Sequence, residues 1–246
     1  MEISNKNVIV TGGANGIGKA LAKAFKNAGA SYILIADLDE TEGQKTADEL
    51  GIKFKKTDVS SESDIIELIA TANNDAQSID IFCSNAGIGG APMLLDVSTE
   101  DWQNIWEINV MSHIYAAKNV LPQMIENGSG YLMNTASAAG LLTQVGAAPY
   151  SVTKAAALSL AEWIKITYGN KGIGVSCLCP QAVKTAMTAN GAGTAGVDGM
   201  IEPDECAAAV IEAIKKEQFL ITPHGEVLEY INLSLIHISE PTRLSV

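Results

Sequence analysis

Arginine is almost missing from this chain. Of 246 residues one is arginine, Arg243, and the fifteen lysines all fall within residues 1–232. With 28 acidic residues the net charge is −12, which repels nucleic acid and anionic lipid and leaves no broad field to steer phosphates. Any phosphate site must therefore be local. Long hydrophobic runs are missing too. None approaches the roughly 18 residues of a membrane span, and Met1–Lys6 lacks the apolar stretch of a signal peptide. The four cysteines, at 83, 177, 179 and 206, show neither disulfide nor zinc spacing; Cys177 and Cys179 alternate like one face of a buried strand. No Pro-rich or Ser-rich linker and no internal repeat divides the chain. The expectation is a cytoplasmic protein with no metal, no nucleic-acid partner and no membrane contact.

What the chain has is 47% hydrophobic residues, in a regular order. β-rich runs at 7–11, 32–36, 52–57, 80–84, 131–134, 174–179 and 219–222 alternate with helical patterns near 17–28, 40–50, 62–77, 102–127, 150–168 and 204–217. Strand and helix in repeated alternation predict an α/β fold. The expected architecture is a single Rossmann-like, doubly wound parallel sheet of about seven strands, helices on both faces, over residues 1–232. Segment 186–200 holds four glycines and little bulk, which suits a lid that orders over a ligand or a plain surface loop.

The first strand runs into Thr11-Gly12-Gly13-Ala14-Asn15-Gly16-Ile17-Gly18. Glycines there let backbone approach a pyrophosphate, and the start of the following helix supplies the positive field that the net charge denies. Asp37 ends the second strand, where a carboxylate either accepts both ribose hydroxyls of an adenosine or serves as a turn acid. It would repel a 2′-phosphate, and its neighbours Asn15 and Leu38 carry no compensating charge, so NAD is expected over NADP. Asp58 and Val59 close the third strand; Asp58 either accepts from an adenine amino group or caps the next helix. Asn85-Ala86-Gly87 closes the fourth, small enough for a cofactor to lie against backbone.

Tyr150 and Lys154 stand four apart, on one helix face. A free phenol, with a pKa of about 10, is a poor base near neutrality. A neighbouring ammonium and a helix start at Tyr150 are expected to lower that value, giving a group that moves a proton on or off an oxygen.

Taken together, Thr11-Gly12-x3-Gly16-Ile17-Gly18, Asp58, Asn85-Ala86-Gly87, Asn109, Ser137, Tyr150-x3-Lys154 and Pro180…Thr185 resemble the classical short-chain dehydrogenase/reductase family, in order and interval, over residues 5–223. The resemblance implies that Tyr150 is the general acid/base and that Lys154 tunes it and holds the nicotinamide ribose. It implies that Ser137 bonds the substrate oxygen and that Asn109 holds a proton-relaying water. It adds Pro180, Val183 and Thr185 to the cofactor's contacts. The function it implies is NAD-dependent interconversion of a secondary alcohol and a ketone or aldehyde. An NADP-dependent 3-oxoacyl-type reductase and a non-catalytic NAD-binding redox sensor are the alternatives.

The chain departs from the family at Gln181, where glycine is usual, and Gln181 is expected at the substrate mouth. Ile88, Gln144 and Met187 are further candidates for the substrate lining, with Leu141, Val145, Ala148 and Val183. The set is largely apolar and suits a small hydrophobic alcohol or ketone. Helices 102–127 and 150–168 carry broad Ala- and Ile-bearing faces that pair subunits in this family, so a homodimer or homotetramer is expected. Residues 233–246 resemble the translation of a sequencing-library adapter and are expected to be a non-native tail, with native sequence lost near Asn232.

Overall fold

The computed structural model describes residues 1–90, 93–189 and 191–239. Strands β1 (Asn7–Thr11), β2 (Tyr32–Asp37), β3 (Lys53–Lys56), β4 (Ile81–Ser84), β5 (Gly130–Thr135), β6 (Ile173–Leu178) and β7 (Leu220–Ile221) form one sheet in the order β3-β2-β1-β4-β5-β6-β7. Every pairing is parallel. The central strands are covered on both faces, and that is why they read as unbroken apolar runs. β3, at the edge, reads Lys-Phe-Lys-Lys; charge there discourages pairing with another sheet.

Side chains alternate across the sheet and feed two cores. Ile9, Leu34, Phe82, Leu132 and Val175 face one layer, packed with Leu68 of α3 (Glu62–Ala76), Val120 of α5 (Ser112–Glu126) and Ile164 of α7 (Ala148–Tyr168). Val10, Ile35, Ile81 and Tyr131 face the other, packed with Leu21 and Phe25 of α1 (Gly16–Asn27), Ala47 of α2 (Glu40–Leu50) and Val210 of α8 (Pro203–Lys216). Each fully buried large apolar side chain contributes about 1.5–3 kcal/mol. Local chemistry sets the helix ends. Asp39 accepts from the Glu42 N–H to start α2, and Gly51 in the left-handed region stops it. Ser61 accepts from the Asp64 N–H to start α3.

The strand order reverses between β1 and β4. The chain builds outward from β1 to β3, then crosses back to β4. The loops after β1 and β4 therefore part company and leave a crevice at the carboxyl ends of the strands, where open α/β sheets bind ligands.

The helix expected at 102–127 differs. It begins at Thr99, capped by Ser98, as α4 (Thr99–Trp106), and a π-turn at Glu107–Met111 interrupts it before α5. The hydrophobic period carries no mark of a π-turn. Two helices fall outside the expected pattern: α6 (Ala138–Leu142) and α9 (Glu226–Ser239). The segment 186–200 contains two short 3-10 turns, Ala186–Thr188 and Gly193–Gly196, while Asn190 lies outside the described residues. Of the tail expected to be non-native, residues 233–239 continue α9, and residues 240–246 lie outside the described residues. Among the described residues no helix is long and apolar enough to cross a membrane.

Candidate active site

The crevice holds a cavity of about 410 Å³. At its dinucleotide end the chain turns at Gly12, whose φ is +67°, a region open to glycine and costly for other residues. Gly18 is needed for closeness: a Cβ there would fall 1.9 Å from the Gly12 carbonyl oxygen. Asn15 precedes α1 but its side chain makes no cap bond, and no acid sits in the first turn. The helix start therefore keeps free N–H groups and its positive end toward the cavity that Asn15, Gly16, Ile17 and Gly18 line. These features fit a pyrophosphate.

Thr11 ties this turn to β4. Its Oγ1 accepts from the N–H groups of Asn85 (2.9 Å) and Ala86 (3.1 Å). The Asn85 amide donates to Thr11 O at 3.0 Å, and Thr135 Oγ1 donates to Asn85 Oδ1 at 3.0 Å. Asp37 accepts from the Ala14 N–H (3.0 Å) and the Asp39 N–H (3.1 Å), so it braces the glycine turn while lining the cavity. Asp58 accepts from the Ser60 N–H and hydroxyl and leaves the helix cap to Ser61.

At the other end, α7 begins at Ala148 with Pro149 in its first turn, which puts Tyr150 beside the helix start. Lys154, one turn on, is 3% exposed. Its ammonium donates to Thr135 O at 3.0 Å and lies 5.7 Å from the centroid of the Tyr150 ring. Burial lowers the Lys154 pKa to about 8. Burial also raises the Tyr150 phenol above its ordinary value, with the Ser137 hydroxyl offsetting part of that. The direction is opposite to the expected lowering, because removal from water dominates. Ser137 is buried; its hydroxyl accepts from the Ala139 N–H at 3.1 Å and faces Pro180 O at 3.4 Å.

Asn109 sits in the π-turn, fully buried. Its Oδ1 accepts from the Ile88 N–H (2.8 Å), and its Nδ2 donates to Ile88 O (2.9 Å) and Thr153 Oγ1 (3.2 Å). It clamps the loop after β4 to α7. A Cβ on Gly87 would lie 3.1 Å from both Asn109 Oδ1 and Lys154 Nζ, so these groups are close neighbours.

All the residues expected to contact a dinucleotide line this one cavity, from Gly12 through Leu38, Val59 and Gly87 to Pro180, Val183 and Thr185. So do Ile88, Gln181 and Met187. Gln144 does not. It lies on the turn after α6, where its backbone N–H and C=O both engage Ser151 Oγ at 2.9 and 3.3 Å. Leu141, Val145 and Ala148 also lie off the lining, Val145 being largely exposed. Gln181 is not at positive φ, so the backbone here does not require glycine.

Sequence reading missed Thr135, which holds both Asn85 and Lys154, and His113. His113 is buried beside the Lys154 charge, neither ring nitrogen has a partner among the described residues, and burial with that charge lowers its pKa to about 3. A histidine one helical turn past Asn109 was the available signal for it.

Comparison with known proteins agrees with this architecture. A family model described as short chain dehydrogenase matches residues 6–194. An uncharacterized oxidoreductase of Staphylococcus aureus is 31% identical over 215 residues, 86% of this chain and 92% of its own. The 1-deoxy-11-beta-hydroxypentalenate dehydrogenase of Streptomyces exfoliatus is 30% identical over 236 residues, 92% of this chain and 86% of its own. Among solved structures, a short chain dehydrogenase/reductase from Burkholderia phymatum in complex with NAD superposes with a TM-score of 0.92 at 25% identity, covering 100% of this chain and 98% of that one. With a sheet, crevice and glycine turn of this kind and a family match over most of its length, the chain belongs to the short chain dehydrogenase family.

Proposed function

We propose that the protein is an NAD-dependent oxidoreductase that interconverts a secondary alcohol and a ketone or aldehyde. The observation that carries this reading is the meeting of Tyr150 and buried Lys154 with the uncapped start of α1 in one cavity. When bound, NAD supplies the hydride acceptor and, in its oxidised form, a positive charge. Glycines 12, 16 and 18 would lie against the pyrophosphate, and Asp37 would accept from the adenosine ribose.

In carbonyl reduction Tyr150 is the general acid. A phenol held neutral by burial is suited to giving a proton to a carbonyl oxygen. In alcohol oxidation it is the base and takes the hydroxyl proton. Ser137, next to the phenol, fixes the same oxygen. Lys154 supplies charge beside the phenol and donors for a ribose. Asn109 would hold a proton-relaying water; in this structure its side chain keeps the Ile88 loop against α7. Acid/base chemistry of this kind contributes roughly 10²–10⁴-fold, with positioning adding the rest.

Preference for NAD rests on charge. Among the described residues Lys154 is the single cation lining the cavity, and Leu38, beside Asp37, is 63% exposed and neutral. A Brucella melitensis 3-ketoacyl-(acyl-carrier-protein) reductase complexed with NADH shares the fold. For this chain Asp37, which would repel a 2′-phosphate, and neutral Leu38 beside it disfavour an NADP-dependent reductase of that type.

Ile114, Leu121, Ile125, Leu160, Trp163 and Tyr168 form an apolar groove on the outer face of α5 and α7. It suits a homodimer or, through further pairing, a homotetramer. The acidic composition suits the cytoplasm.

The test is a panel of secondary alcohols and ketones with NAD(H) and NADP(H), followed by nicotinamide absorbance. Turnover is expected with NAD(H) in excess of NADP(H). Tight NADH binding without turnover of any substrate would favour a redox-sensing module instead.

A further inference from the structure

Gln181 lines the cavity between Pro180 and Val183. Its side-chain nitrogen donates to Asp198 Oδ2 at 2.9 Å, and Asp198 Oδ1 accepts from the Tyr230 hydroxyl at 2.9 Å. Its backbone N–H donates to His224 Nδ1 at 3.2 Å, while His224 Nε2 faces Ala182 O at 3.1 Å. A ring nitrogen facing a carbonyl carries the proton, so Nδ1 is left as the acceptor. Gln181 is thus held by main chain and side chain at once.

A carboxylate only accepts. The amide therefore cannot be turned round: its nitrogen belongs to Asp198, and Oε1 is presented as a fixed acceptor. Oε1 is buried and no described residue gives it a donor; the two His113 nitrogens are its only companions in that respect among the described residues. Buried acceptors are normally satisfied. Gln181 lines the cavity, while Oε1 is closed to it in this structure, so a donor reaches it from there as the side chains around it give way on binding.

We propose that Gln181 is a specificity residue, whose Oε1 accepts a hydrogen bond from an O–H or N–H that the substrate carries besides its reacting oxygen. The inference rests on the oxidoreductase reading above and narrows it. The substrate class becomes a polar-substituted alcohol or ketone, such as a vicinal diol or hydroxy ketone. Asp198 is a positioning residue that acts through Gln181, and Tyr230 holds Asp198. Asp198 belongs to the 186–200 segment, which is tied back where Val183 pairs with Ile201, and Tyr230 belongs to α9. The acceptor is set only when both are docked on the Pro180 loop.

The experiment compares kcat/KM, with NAD, for matched pairs that differ by one hydroxyl: 2-butanol and 2,3-butanediol, cyclohexanol and 1,2-cyclohexanediol, 1-phenylethanol and 1-phenyl-1,2-ethanediol. The wild-type protein is expected to prefer the diol in at least one pair by about twofold to tenfold, the worth of one neutral hydrogen bond. Gln181→Leu should bring that ratio to about one, with the loss in KM for the diol. Asp198→Ala should lower the ratio while Gln181 is still present, and Asp198→Asn, which keeps an acceptor oxygen, should restore part of it; these variants carry the test if Gln181→Leu does not fold. Equal handling of every pair by the wild type, or a ratio that survives both Gln181→Leu and Asp198→Ala, overturns the proposal. NADH affinity is titrated by fluorescence in the same variants. If Gln181→Leu weakens NADH while the diol ratio stands, the donor is the nicotinamide carboxamide and the substrate assignment fails. If the wild type binds NADH but no pair changes the absorbance, the oxidoreductase reading fails and takes the proposal with it.

Discussion

At the dinucleotide end of the cavity, one turn of eight residues, 11–18, meets the tips of β2, β3 and β4. At the other end Tyr150 and Gln181 line the cavity, backed by Ser137, Asp198 and Tyr230, five segments spread over nearly a hundred residues. The first end is made of backbone: N–H groups at the start of α1, with glycines where a Cβ would collide. The second is made of side chains held by one another. A backbone site requires a few residues and tolerates the rest, so it writes a compact motif. A side-chain site can be rebuilt at one position, as at Gln181, without disturbing the glycine turn at the other end.

That contrast can be broken or sharpened by substitution. The largest effect is expected at the catalytic boundary between the two ends. Tyr150→Phe should cut turnover by roughly 10²–10⁴-fold while NADH titrates as in the wild type; near-normal turnover would remove Tyr150 from the chemistry. Next, Asp37→Ser with Leu38→Arg should raise the NADP/NAD ratio of kcat/KM by roughly tenfold to a hundredfold, the worth of a charge-assisted bond to a phosphate. An unchanged ratio would mean that Asp37 serves only to brace Ala14 and Asp39.

Gly18→Ala forces a Cβ into the Gly12 carbonyl. It should cost about 1–3 kcal/mol of stability, read by thermal melting, and weaken NADH by about tenfold. The same substitution at Gly90, where a Cβ would meet nothing within 4 Å although φ is +95°, should leave NADH binding intact.

The smallest effect concerns stability alone. His113 titrates from 6.5 to about 3 on folding because burial and the Lys154 charge exclude its protonated form. The unfolded chain takes up that proton first as pH falls. Stability from this group is therefore full above about pH 6.5 and is lost toward pH 3, at about 1.4 kcal/mol per pH unit. His113→Leu should melt closer to the wild type at pH 8 than at pH 5, where the variant should be the more stable. A constant difference across that range would show that His113 does not titrate on folding.

The strands, their parallel pairing and the glycine turn were legible because each follows from local pattern: alternation, run length, and residues that only one backbone shape demands. Asn85, Tyr150 and Lys154 were legible through spacing along one strand end and one helix face. Gln144, expected on the substrate lining, lies off the cavity, its backbone committed to buried Ser151 in the first turn of α7, a pairing the spacing does not announce. Thr135 escaped notice because its work lies in two partners, Asn85 and Lys154, that the sheet brings to it. The lowered phenol pKa expected from a neighbouring ammonium was reversed by burial, which a helix-face argument does not contain.

By itself the sequence determined the parallel sheet, the crevice at its switch point and the glycine turn whose residues line that crevice, since local periodicity and glycine positions dictate those. Tertiary structure alone decided what surrounds Tyr150 and Gln181 at the other end of the cavity. The π-turn aims Asn109 at Ile88, and Asp198 and Tyr230 fix the amide of Gln181. Such contacts join residues tens of positions apart, and a hydrogen bond between distant segments leaves no spacing in the chain to read.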